Sequence, residues 1–396
     1  MAVRGKIIVL GYIVRLPFGG MTWHHLNYVL GLQALGYEVI FLEDSDDFDD
    51  PCYDPSIGRM TDDPAAGLRY AAEVFKRSGF GDAWAYWRAS AQEWLGPLAD
   101  RVAEEIADAD ILLNVSGVNP VRPWLRDIPI RVYLDTDPAF QQIRMLKEPE
   151  RQSFVEQHNR FITFGSGIAD GTATLTVPDL PWIFSPQPVA LDHWRPRDLP
   201  KDSTFTSVLN WDSYRTETWN GVEYGMKSAS FREYVDLPQR TSAQLTLALS
   251  GSSAPVSVLR EKGWTVVSGP ETTRSTASYE DFLAQSLAEF SVAKHGYVTA
   301  RTGWFSERSA CYLATGRPVV TQSTGFETWL PVGEGLLSFH DLEGAVEGIE
   351  AVRRDPARHA ASAVEIACDV FDANKVLTRM IDDIMASGQA QYPKRS

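Results

Sequence analysis

The first apolar run of the chain, Lys6-Ile-Ile-Val-Leu10, is short and unbroken, as in a strand covered on both faces. A glycine-bearing loop, Gly11 to Gly20, follows it. From about Thr22 to Leu35 the apolar positions (Leu26, Tyr28 to Leu30, Leu32, Leu35) recur at helical spacing, and Gly36 ends the helix. Tyr37-Glu-Val-Ile-Phe-Leu42 is then a second strand, so the unit is strand, crossover helix, parallel strand. The pattern predicts a mostly helical stretch over 64–109, with Trp84, Trp87 and Trp94 as its packing stripe. Strands are predicted at Asp110–Val115, Ile130–Asp135, Phe161–Phe164 and Thr174–Val177. Alternation of this kind is that of a doubly wound parallel sheet.

Pro178 to Pro200 holds six prolines and reads as an extended linker. The pattern then restarts with strands at Thr204–Trp211, Leu245–Ser250 and Trp264–Val267, a helix over about Tyr279–Ala288, and a strand at Glu289–Ala293. Thr302-Gly-Trp-Phe-Ser-Glu-Arg-Ser-Ala-Cys-Tyr-Leu-Ala-Thr-Gly-Arg-Pro-Val-Val-Thr321 comes next. It reads as a polar loop, a short helix (Ser309 to Thr315), a Gly316 cap and a buried strand from Pro318. A strand at Leu336–Phe339 and helices over about 341–354 and 356–386 finish the chain. The expected fold is α/β, with two doubly wound Rossmann-like domains. The first spans 1–180, a Pro-rich linker 181–203, the second domain 204–360, and a C-terminal helix and tail 361–396 pack back toward the first domain.

Length agrees with this division, since 396 residues exceed one ordinary core. No apolar run approaches a membrane span, and the N-terminal run is too short for a signal-peptide core, so the cytoplasm is the expected compartment. Three scattered cysteines (Cys52, Cys311, Cys368) exclude a disulfide framework and a zinc cluster. The net charge of −15 argues against nucleic acid as a partner, because phosphate binding needs clustered Lys and Arg. Much of the acid lies in Glu43-Asp-Ser-Asp-Asp-Phe-Asp-Asp50, which reads as a solvated loop rather than a metal site.

The Thr302–Thr321 segment, with its turn Ala314-Thr-Gly-Arg-Pro318, resembles the nucleotide-sugar-binding segment of GT-B glycosyltransferases. The opening order of helix, Ala34-Leu-Gly-Tyr37 and Glu-Val also resembles the first unit of many of them. The resemblance implies two facing domains, a nucleoside-diphosphate sugar held mainly by the second and an acceptor by the first, and transfer of the sugar to an acceptor hydroxyl. No Asp-x-Asp in a metal-site context stands out in the second domain. The leaving diphosphate would therefore meet fixed positive charge and helix-start N–H groups, with no metal and no cofactor. The donor-side candidates are Ser306, Glu307 and Arg308 at the loop-to-helix junction, with Arg301, Lys294 and Lys227 adding charge. Gln322, Thr324 and Glu327, after the following strand, would face the sugar hydroxyls. Many members carry a Glu five residues before the turn glycine to hold the ribose; here that residue is Cys311, and Glu307 is the nearest acid upstream.

On the acceptor side, His24 and His25 sit where the Gly19–Gly20 loop meets the first helix, a region in which inverting members often keep a general base. Asp135 or Asp137 would orient the histidine. Which histidine acts stays open, with His24 nearer the loop; if neither acts, a retaining route follows. A GT-B epimerase or hydrolase and a non-catalytic GT-B binding module are the other two readings. Gly19-Gly-Met21 and Gly165-Ser-Gly167 lack the spacing of a dinucleotide fingerprint.

Overall fold

The computed structural model describes residues 4–202 and 204–389, so the tail beyond them, assigned to the C-terminal unit, lies outside the described residues. The first sheet is built from β1 (Lys6–Leu10), β2 (Glu38–Asp44), β3 (Trp84–Arg88), β4 (Glu93–Leu95), β5 (Ile111–Val115), β6 (Ile130–Asp135), β7 (Arg160–Thr163) and β8 (Trp182–Phe184). Their order is β8-β7-β6-β5-β1-β2-β3-β4, parallel except for β4. The second sheet contains β9 (Thr204–Asn210), β10 (Gln244–Ser250), β11 (Thr265–Ser268), β12 (Ala288–Ser291), β13 (Val319–Gln322) and β14 (Leu336–Phe339). Its order is β11-β10-β9-β12-β13-β14, parallel throughout. Both orders reverse direction beside their first strand, as in doubly wound sheets, and the expected fold class is the one observed.

Six helices position the site: α1 (Gly19–Ala34), α2 (Lys227–Phe231), α3 (Thr276–Ala284), α4 (His295–Ala300), α5 (Glu307–Ala314) and α6 (Ala373–Gln389). The C-terminal α6 returns to the first domain as expected. A Cβ on Gly31 of α1 would meet the Leu377 and Ala373 side chains, and Arg160 Nε donates to Ile384 O at 2.7 Å. The apolar core of the first domain is not closed off from the second. Leu26 and Val29 of α1 share one buried cluster with Phe305, with Cys311, Tyr312 and Leu313 of α5, and with Leu377 and Ile384 of α6.

Four local expectations fail for physical reasons. Only Ala65–Ser78 is a substantial helix within 64–109. The left-handed Gly79 and Gly81 end it, and the aromatic run Trp84-Ala-Tyr-Trp87 goes into a strand, where such residues pack well. Trp87 and Trp94 are therefore a cross-strand pair rather than part of a helical stripe. Thr174–Val177 forms no strand, because Thr174 N and Oγ1 bond Ala300 O and Thr299 O of the second domain. The Pro-rich segment is not wholly extended linker: β8 within it pairs with β7, and Val189 bridges to Asp372. The acidic run is solvated only in part. Glu43 is buried at the end of β2, and its carboxylate accepts the N–H groups of Ile13 and Val14 at 2.7 Å and of Arg15 at 2.6 Å, which fixes the loop after β1.

Arg317 is the largest fully buried side chain, at 0% exposure. Nε and NH2 both donate to Ala284 O (3.1 and 2.7 Å), NH1 to Arg197 O and NH2 to Asp198 O (3.1 and 2.6 Å). The guanidinium thus ties the end of the linker to the end of α3.

Candidate functional site

The carboxyl ends of both parallel sheets meet at one cleft, the place where open α/β sheets bind ligands. At its root, the segment after β6 delivers Asp137 and the segment after β12 delivers Lys294. Lys294 Nζ lies 2.7 Å from Asp137 Oδ1 and 2.7 Å from the Tyr214 hydroxyl. The hydroxyls of Tyr214 and Tyr297 both donate to the same carboxylate. The two charged side chains are only 17% and 14% exposed. Burial pushes the Asp137 carboxyl up, but Lys294 and the two phenols outweigh it, and its pKa falls below the usual carboxylate value. Asp137 and Lys294 are thus joined in a bridge between domains.

Deeper in the second domain, Arg308 in the first turn of α5 donates from Nε to Glu289 Oε1 at 2.6 Å and from NH2 to Ser291 Oγ at 2.8 Å. Glu289 is fully buried in the interior strand β12. Lys227 opens α2 and is half-buried; among the described residues it donates no hydrogen bond and makes no ion pair. Burial, and next the charge of Arg308, lower its pKa to about 7, against the opposing pull of Glu289 and Glu307. A cation so placed lacks an anion. Ser306 precedes α5 with a buried hydroxyl that has no partner and does not cap the helix, and the Ser309 hydroxyl is also buried and unpartnered. Glu307 is half-buried and its charge reaches Lys227, Arg308 and His24, so this acid stands between the two sides of the cleft.

The two histidines differ sharply. His25 is fully buried with both ring nitrogens in use: Nδ1 is 2.8 Å from Met21 O, and Nε2 accepts from Tyr12 N at 3.3 Å. Burial, and the neighbouring His24 ring, hold its pKa well below the ordinary value, so it stays neutral and structural. His24 is 7% exposed, and its Nε2 is 3.2 Å from Ser116 Oγ, which accepts from Thr136 Oγ1 at 2.9 Å. Burial lowers its pKa while Glu307 raises it, with burial prevailing. The expected histidine–aspartate pair is not formed. Asp137 belongs to Lys294, and Asp135 accepts from Gln142 Nε2 (2.8 Å), Thr163 Oγ1 (2.9 Å) and Asp137 N (2.9 Å). Burial still pushes Asp135 up to about 6.

Other candidates go elsewhere. Gly19 and Gly20 form a seam with the second domain: Gly19 N donates to Thr273 O at 2.6 Å, and a Cβ on Gly19 would lie 2.2 Å from Ser275 O. Gln322 is spent inside the second domain, accepting from Ala293 N and donating to Tyr234 OH. Thr324 donates to Trp304 O, and Glu327 accepts from Ser338. Arg301 is exposed in a left-handed conformation and makes no ion pair among the described residues. Cys311, where a ribose-binding Glu was looked for, faces the shared core, and burial raises its thiol pKa. Among the described residues no three His, Cys, Asp or Glu side chains converge as a metal site would require. No helix of those residues is long and apolar enough to cross a membrane.

Ser116, Tyr214, Glu289 and Tyr297 were not singled out from sequence. Glu289 carried a usable signal, a charge inside a buried strand Ala288-Glu-Phe-Ser291. Ser116 carried a weaker one, a polar pair with Gly117 directly after a strand; both residues have positive φ (64° and 54°).

No protein-family profile matches the chain, and neither does any curated protein sequence. Solved structures do match along almost its whole length. An alpha-glucosyltransferase in complex with UDP and a 13-mer DNA containing an HMU base superposes with a TM-score of 0.59 at 12% identity, covering 96% of this chain and 99% of that one. The same kind of enzyme with UDP-glucose and DNA containing an abasic site gives 0.56 at 11% identity, covering 96% and 99%. Anabaena Alr3699/HepE in complex with UDP-glucose gives 0.57 at 12% identity, covering 97% and 100%. DNA in two of these complexes withdraws support from the expectation, drawn from net charge, that nucleic acid is excluded. At this identity the likeness is one of fold: the chain has the two-domain GT-B architecture of these UDP- and UDP-glucose-bound proteins.

Proposed function

We propose that the protein transfers a sugar from a nucleoside-diphosphate sugar to an acceptor hydroxyl. In this reading Lys227, Arg308 and the first N–H groups of α5 stabilise the departing diphosphate, the part a metal ion plays in other enzymes. The observation that carries the reading is Lys227, a half-buried cation without a protein partner, beside Arg308 at the carboxyl ends of the second sheet. The solved structures of the same fold hold UDP or UDP-glucose, which supports the choice of donor. Ser306 and Ser309, with unpartnered buried hydroxyls, are the nearest neutral groups for the same anion.

The charge state of Lys227 supplies the test. Its pKa of about 7 in the free protein means that the protonated, anion-binding form is full below that pH and lost above it. UDP keeps its charge over the same range, because its terminal phosphate titrates near pH ~6. UDP affinity measured by calorimetry is therefore expected to be highest below neutrality and to weaken by about fivefold between pH ~7 and ~8. A flat profile would remove Lys227 from the donor site.

His24 is the candidate base for the acceptor hydroxyl, positioned through Ser116. Its replacement by Ala should cut transfer by roughly 10²–10⁴ while UDP binding holds. His25→Ala should instead cost stability, about 1–3 kcal/mol, by leaving Tyr12 N–H unpaired. A second reading rests on the hydrogen bonding of His24, which among the described residues reaches Ser116 and no carboxylate: a retaining route with no protein base, in which His24→Ala keeps its turnover.

A further inference from the structure

Three tryptophans at the cleft-side rim of the first sheet have no part in the donor chemistry. Trp87 and Trp94 pair across β3 and β4 with ring centroids 5.2 Å apart, and Trp124 lies against Trp87 at 5.0 Å. Trp124 is 37% exposed, and Trp87 and Trp94 are half-buried. Trp87 stands opposite Asp44, the last residue of β2, so the trio sits at the carboxyl ends of the strands.

This rim is wired to the catalytic side of the cleft. Arg122, two residues before Trp124, pairs with Asp44 at 2.9 Å and Asp47 at 3.1 Å. Asn119 accepts from Asp44 N at 3.0 Å and donates to Gly11 O at 3.0 Å. Three residues earlier, the same loop places Ser116 on His24. From β5, which Ser116 directly follows, to β3, which carries Trp87, there are three strand steps. At ~4.8 Å per strand the platform lies about 14 Å across the sheet from the end of β5, farther than one sugar ring extends.

The rim's charge selects among ligands that stack on indole. Between Glu43 and Asp63 the chain has nine acids and one base. Three of the arginines nearby are paired, Arg15 with Glu43, Arg88 with Asp62 and Glu93, Arg122 with Asp44 and Asp47, while the exposed Arg59 and Arg126 make no ion pair among the described residues and are outnumbered by the acids. A single-stranded nucleic acid would also stack on tryptophan, but it needs a positive groove for its backbone. Here the phosphates would meet unpaired aspartates. A neutral pyranose has no such penalty, and its C–H face suits the electron-rich face of an indole.

We infer that the acceptor is an uncharged oligosaccharide, its terminal sugar at His24 and Ser116 and its distal sugars on Trp124 and Trp87. This rests on the glycosyltransferase reading above, and the test separates the two. Calorimetric titrations with UDP present would use cellohexaose and maltohexaose, glucose, and a 13-mer DNA duplex at ~0.15 M salt. At least one hexasaccharide should bind, glucose far more weakly, and DNA not at all. Trp124→Ala should weaken hexasaccharide binding about tenfold, Trp124→Phe should recover most of it, and UDP affinity should stay the same in both. Trp124 lies outside the buried core, and unchanged UDP affinity reports that the fold survives its loss. Failure of both hexasaccharides to bind, equal binding by Trp124→Ala, or binding of the DNA instead would each overturn the proposal. Loss of UDP binding in the unaltered protein would instead overturn the donor reading.

Discussion

Replacing Lys227 with Met should lower kcat/KM for a UDP-sugar by roughly 10²–10³, about 3–4 kcal/mol of transition-state stabilisation. Charge builds on the diphosphate as the glycosidic bond breaks, and a cation with no other partner is worth most at that moment. Met keeps the aliphatic stem of the lysine, so packing at the start of α2 survives and the loss reports on charge. The variant should also abolish the dependence of UDP affinity on pH near neutrality. Arg308 is a poorer test of the same idea. Its guanidinium neutralises Glu289, a fully buried carboxylate, and Arg308→Ala would strand that charge inside β12. Lost activity there would report unfolding as readily as lost phosphate contact. Wild-type turnover in Lys227→Met, with donor KM unchanged, would dismiss the diphosphate role.

Arg317→Met should destabilise the protein by about 1–3 kcal/mol, read as a lower urea midpoint. The guanidinium is planar with donors in a fixed fork, and here it satisfies carbonyls from two segments far apart in sequence, Arg197–Asp198 and Ala284. Removing it takes the donor from those partly buried oxygens. Lysine has the charge but not the fork, so Arg317→Lys should recover less than half of the loss. A midpoint within error of the native one would mean that water replaces the clamp.

Much of the architecture was legible because it is written locally. The Gly316 turn into β13 and the short apolar runs of β1, β5 and β6 are properties of a few adjacent residues. What failed was nonlocal. Trp84, Trp87 and Trp94 satisfy a helical spacing as well as a hairpin, and only the turn between β3 and β4, with Gln92 at φ 53°, decides between them. Glu43 looks like its neighbours in an acidic run, yet its carboxylate serves three N–H groups almost thirty positions earlier. Arg317 is the variable residue of a recognisable turn, and nothing next to it reveals the linker it holds. The donor-side charges were legible as a set, but their division of labour was not: Lys294 is paired with Asp137 and Arg308 with Glu289, Arg301 is exposed to solvent, and among the described residues Lys227 is the half-buried one left uncommitted. Such pairings are made across the cleft or across the sheet, where sequence has no adjacency to show.

The packing of α5 bears on how the cleft admits its ligands. By sequence this helix belongs to the second domain, yet Cys311, Tyr312 and Leu313 lie in one apolar cluster with Leu26 and Val29 of the first. Prising the domains apart there would wet this buried apolar cluster. The molecule is keeled rather than jawed. Its two halves share an apolar spine along α5, so in the glycosyltransferase reading proposed above donor and diphosphate are expected to pass through the mouth of the cleft rather than through a parting of the domains.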